Sequence, residues 1–132
     1  MTTNNNLLIH ALRLNALFSG VCALIMFAAG GWIAVQLGLD SVVPIYATAG
    51  CLVLFATQLA NIVRTRVIRS WEIAGIIGGD IAWIVASIVL VAMYFDSLTT
   101  TGLILVDAVA AAVLFFAIQQ FRGLRGISRV RL

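Results

Sequence analysis

Two aspartates, Asp80 and Asp107, stand inside long apolar stretches of the chain. On membrane-insertion scales an aspartate at a helix centre costs about 2.5–3.5 kcal/mol, so a carboxyl held there is by default a functional group that passes a proton or binds a cation. With about 1.5 Å of rise per residue, Asp80 falls about 13 Å from the arginine-flanked end of its segment, and Asp107 about 10 Å from the opposite end of its own. In a hydrocarbon core about 30 Å thick, that leaves the two about 5–10 Å apart in depth. One cavity could hold both, or either could face a neighbouring subunit.

Helical spacing puts Asp80 on a stripe with Ile76, Trp83, Ser87, Val91 and Tyr94, and Asp107 on a face with Thr100, Ile104, Ala111 and Leu114. Asn15, Ser19, Thr48 and Tyr46 are the hydrogen-bond partners that the other apolar segments offer. The candidate ligand- or proton-binding set is therefore Asp80, Asp107, Asn15, Trp83, Ser87 and Tyr94. The competing reading makes each carboxyl a neutral cross-helix hydrogen bond, worth about 0.6 kcal/mol on average. Function is favoured for Asp80, and structure for Asp107, which lies nearer the surface.

The rest of the chemical inventory is thin. One histidine, His10, and two cysteines, Cys22 and Cys51, offer no metal cluster and no CxxC pair. Both cysteines lie within apolar segments and read as small apolar filler, because a thiol in hydrocarbon is inert. No nucleophile stands beside a base, so the expectation is a protein that is not an enzyme and carries no cofactor and no metal.

These groups must be positioned by membrane helices. Of the 132 residues, 63% are apolar or aromatic and 10% are charged, whereas soluble domains run about 45–50% apolar and about 25% charged. There is too little polar surface to coat a water-soluble particle. Four apolar segments, at about 14–36, 42–63, 71–95 and 100–121, each exceed the length of about 20 residues that spans a bilayer as a helix. The first is longer than the apolar core of about 7–15 residues in a cleavable signal peptide, so it is expected to remain in the protein. The breaks between segments are short enough to force consecutive helices into antiparallel neighbours. The expected fold is a single all-α integral membrane domain over 1–132, a four-helix bundle running up-down-up-down.

All eight positive charges are arginines, and their placement is one-sided. Arg13 precedes the first segment, Arg64, Arg66 and Arg69 fill the middle break, and Arg122, Arg125, Arg129 and Arg131 follow the fourth. The other two breaks carry only Asp40 and Asp96. By the positive-inside bias both termini and the middle loop face the cytoplasm, with the chain in the inner (plasma) membrane. Arg64, Arg66, Arg69, Arg122 and Arg125 are expected to rest on anionic lipid headgroups. No basic face with interleaved aromatics exists to bind nucleic acid.

A faint internal likeness links the halves. Phe55-Ala56-Thr57-Gln58 answers to Phe116-Ala117-Ile118-Gln119, Asp40-Ser41 to Asp96-Ser97, and Asn15 to Asp80. This reads either as two copies of one helical hairpin or as the resemblance that all membrane hairpins share. Small residues four apart, such as Gly75 with Gly79 and Ala108 with Ala112, allow close helix approach. Two functional readings follow. The first is a small transporter or conducting unit for protons or a small polar or cationic ligand, oligomeric in some forms of this reading. The second is a non-enzymatic accessory or assembly protein that binds another membrane protein or lipid. The partners expected are the bilayer and either another copy or another membrane protein.

Overall fold

The computed structural model describes residues 2–128, with side chains from 5 to 126. It consists of α1 (Thr2–Gln36), α2 (Val43–Thr65), α3 (Ser70–Tyr94) and α4 (Thr100–Ser128). All four helices are long and apolar enough to cross a membrane. Their outward surfaces agree with that: Leu24 and Leu54 are 70% and 73% exposed, amid many other bare aliphatic and aromatic side chains. Water does not tolerate so much contiguous apolar surface, and lipid does.

Local sequence explains most of the boundaries. Pro44 opens α2, where its missing N–H costs nothing. Arg66 closes α2 in the left-handed region, φ 55°, with its N–H on the Ile62 carbonyl. Glu72 in the first turn of α3 suits the helix dipole and pairs with Arg69 at 3.5 Å. Thr99 caps α4 by accepting the Gly102 N–H at 3.0 Å on Oγ1.

Two helices outrun their apolar segments. α1 begins at Thr2 because Leu8, Ile9, Ala11 and Leu12 recur at helical spacing and bury one face, while Arg13 stays outside. α4 continues past Phe121 to Ser128, carrying Arg122 and Arg125, and its Gly123 lies against Leu8. Arg129 and Arg131 lie outside the described residues.

α1 sits between α2 and α4, and α3 packs on α4; α2 and α3 make no close backbone approach. At the end away from the arginines the α1–α4 pair is latched. Thr99 N–H and Oγ1 donate to the Gln36 carbonyl at 3.1 and 3.0 Å, and Oγ1 also reaches Gln36 Oε1 at 2.7 Å. Gly38, at φ +67°, turns the chain out of α1 beneath the Ser97 carbonyl. Gly102 lies so close to the Gln36 carbonyl that any Cβ there would collide with backbone. Gly102→Leu is therefore expected to destabilise the fold by about 1–3 kcal/mol, read as a lowered unfolding midpoint in detergent. Gly75→Ala, which meets open space, is the control expected to leave that midpoint unmoved.

Two apolar clusters hold the bundle. At the arginine-bearing end, Leu8, Leu12, Leu59, Ile62, Ile73 and Ile76 from three helices are fully or nearly fully buried. At the other end Ile33, Ala34 and Ile45 join α1 to α2. Between the clusters α1 breaks helical geometry at Ala29, φ −121° and ψ 20°, beside the Gly30-Gly31 pair that makes a kink inexpensive.

Candidate functional site

One turn beyond the first apolar cluster, the interior turns polar. Asn15 and Ser19 come from α1, Asp80 from α3 and Gln120 from α4, and all four are buried. Asn15 Nδ2 donates to Asp80 Oδ2 at 3.0 Å, and Ser19 Oγ donates to Asn15 Oδ1 at 3.2 Å. Ser19 thus fixes which way the Asn15 amide points, so that its NH2 group faces the carboxyl. The Gln120 amide lies beside the same carboxyl, yet neither its Nε2 nor its Oε1 makes a hydrogen bond of good geometry. Trp83 Nε1 is likewise buried without a partner.

Above this cluster lies a partly open cavity of about 600 Å³, in the space that α2 and α3 leave between them. Its walls are apolar: Phe18, Met26, Ile33, Ile45, Leu52, Phe55, Leu90 and Val109 among them. Asp80, Trp83, Ser87, Ser19 and Thr48 are the polar side chains that reach its lining. The Ser87 hydroxyl is turned back on the Trp83 carbonyl at 2.8 Å, and Thr48 on the Pro44 carbonyl at 2.8 Å, so each hydroxyl proton is already used. A carboxyl under apolar walls can neutralise a cation or hydrogen-bond a donor, and it can take up and release a proton.

The structure brings together Asn15, Asp80, Trp83 and Ser87 from the expected set. Tyr94 stands outside the cavity, exposed on the last turn of α3. Asp107 is exposed on α4 and does not line the cavity, so the two aspartates face different surroundings. Tyr46 stacks on Phe27, with ring centroids 6.0 Å apart, rather than reaching a carboxyl. Gln120 is the residue the sequence concealed. Its nearness to the arginine-rich end suggests an ordinary interfacial glutamine, but it is fully buried. The signal that finds it is the inward stripe Val113, Phe116, Ala117, Gln120, all buried and at helical spacing.

Cys22 and Cys51 are both free thiols in the cavity lining. Among the described residues no group of three His, Cys, Asp or Glu side chains could hold a metal. Arg64, Arg66, Arg69, Arg122 and Arg125 are all exposed, and Arg125 lies over the Phe121 ring at 5.0 Å. The chain matches no family model, no curated protein and no solved structure. Its class therefore rests on what has been described: a membrane protein of four helices, with a buried polar cluster around one carboxyl beneath a mostly apolar cavity.

Proposed function

We propose that the protein is a small transporter that takes a cation with an apolar body, or a proton, through the cavity between α2 and α3, with Asp80 as its anchoring carboxyl. The observation that carries this reading is the single carboxyl at the lining of a mostly apolar cavity, with no arginine ion-paired to it among the described residues. Apolar walls select an apolar body, and the carboxylate selects positive charge. The six-residue apolar cluster lies between Asp80 and the arginine-bearing end. That arrangement favours a carrier that must rearrange over a pore that stands open.

In this reading the helices run up-down-up-down in the inner (plasma) membrane, with both termini and the α2–α3 loop on the cytoplasmic side. The arginines of that loop and of the α4 terminus rest on anionic headgroups. The chain is two copies of one hairpin, α1–α2 and α3–α4, with Asn15 and Asp80 at matching positions. A strict repeat would pair α3 with α2 as α1 pairs with α4. The missing α2–α3 approach is where this symmetry fails, and the cavity fills the gap. Ligand enters there, sideways from the bilayer. Replacing Arg64, Arg66 and Arg69 together by serine is expected to weaken the orientation, read as periplasmic labelling of a reporter fused to the C-terminus.

The test uses two ions of nearly the same shape and opposite charge. Protein in lipid nanodiscs is titrated with tetraphenylphosphonium and with tetraphenylborate, and binding is followed by the fluorescence of Trp32 and Trp83, both in the cavity lining. The phosphonium should bind at least about tenfold more tightly, a difference of about 1.4 kcal/mol. Equal affinity for the two ions would remove the carboxyl from the mechanism. The accessory-protein reading draws on a separate observation, the exposed Asp107.

A further inference from the structure

Three aromatic rings line the cavity close to Asp80, one each from α1, α2 and α3: Phe18, Phe55 and Trp83. Phe18 follows Asn15 by three residues and Trp83 follows Asp80 by three. Both therefore stand about 4.5 Å along the helix axis from the Asn15–Asp80 hydrogen bond. Phe55 reaches the same depth because Gly79 has no side chain: the ring lies 3.7 Å from where a Cβ would stand. All three side chains are half-buried. The Trp83 Nε1 is shut away from the cavity, so ring carbon is what Trp83 shows there. Polar lining is scarce at this depth. Asp80 and Ser19 supply it, whereas Ser87 and Thr48 lie about 10 Å farther along their helices, seven residues from Asp80 and Phe55.

We propose that Asp80 and these three rings hold a quaternary ammonium group, so that the ligand is a permanently charged amphiphile rather than a proton or a protonated amine. The proposal rests on the reading of Asp80 as a cation anchor and names the cation. A primary ammonium carries three divergent N–H donors, and each must find an acceptor on leaving water. Asp80, already bonded to Asn15, and Ser19 are too few to meet donors that point three ways. A trimethylated nitrogen has no N–H to satisfy. Its charge is spread over methyl groups, which the negative faces of Phe and Trp attract once water is excluded. The carboxylate then balances the net charge. Beyond the rings the walls are aliphatic, Ile33, Ile45 and Leu90 among them, and they suit an alkyl chain.

The test compares two ligands with one alkyl chain, n-octyltrimethylammonium and n-octylammonium, by calorimetry on the protein in lipid nanodiscs. At a pH of about 7 both are cations. The trimethyl ligand is expected to bind at least about tenfold more tightly. Trp83→Leu and Phe55→Leu should each cut that ratio about threefold or more. Trp83→Phe, which keeps a ring and drops the N–H, should preserve it. The ratio is read within one variant, so a loss of folded protein does not mimic the effect. Equal affinity, or tighter binding of n-octylammonium, would overturn the proposal. If Asp80→Asn then still weakened both ligands, the carboxyl would remain a cation anchor. A ratio unmoved by both leucine variants would likewise overturn the part given to the rings. Two affinities indifferent to Asp80→Asn would overturn the anchor and the proposal together.

Discussion

Asp80→Asn is expected to reduce tetraphenylphosphonium binding by at least about 30-fold, corresponding to loss of a buried charge contact of about 2 kcal/mol or more. The variant should remain folded. Its amide oxygen can accept the Asn15 Nδ2 hydrogen bond that the carboxylate accepts at 3.0 Å, and an amide is far less costly to bury than a charge. Thermal stability should therefore hold or rise while binding collapses. In proteoliposomes the same variant should abolish flux of the cation. A substitution that lowered stability and left binding intact would reassign Asp80 to the architecture. A substitution that changed neither would leave the carboxyl without a role in this mechanism.

Gln120→Leu should move stability in the opposite direction from most core substitutions. The wild-type side chain is fully buried, and neither of its polar atoms makes a hydrogen bond of good geometry. An unsatisfied buried polar group costs about 1–3 kcal/mol, and leucine restores an apolar interior at similar volume. The unfolding midpoint in detergent is expected to rise. Cation binding should weaken severalfold, because the amide beside Asp80 is then lost. This exchange of binding for stability marks residues kept for function. A drop in the midpoint would mean instead that the Gln120 amide is satisfied in the membrane, most simply by the Asp80 carboxyl.

Much of this arrangement can be read from the chain, and each unread part has a physical cause. The spans themselves are legible in the apolar runs and arginine clusters. Depth along the first of them is not: rise counted from the start of its apolar run leaves Asn15 at the edge while Asp80 lies about 13 Å into its own segment, yet the two are hydrogen-bonded, because α1 begins at Thr2, well ahead of that run. Rotation of a helix about its axis is encoded poorly, because lipid is as apolar as the interior and a transmembrane helix need not be greasy on one side only. Asp107 and Gln120 on α4 are the two sides of that ambiguity: one faces out and the other in. The beginning of α1 is hidden differently. Asn4, Asn5, Asn6 and Arg13 interrupt the apolar run without interrupting the helix, because Leu8 and Leu12 need one buried face and nothing more. The cavity is legible in no single segment, since it is the absence of an approach between α2 and α3.

The packing order of the helices also constrains how the protein is made. The one helix that α3 meets backbone to backbone is α4, which leaves the ribosome after it. When α3 is handed to the insertion machinery, α1 and α2 are already paired and α3 has no such neighbour. Gln120, which lies beside Asp80 from α4, has not yet been translated, and the Asn15 amide of α1 is the one hydrogen-bond partner already made for that carboxyl. Completion of α4 is thus the step that closes the polar cluster around Asp80. A chain that ends between Tyr94 and Gln120 holds that carboxyl against α1 alone, without the cover that α4 brings.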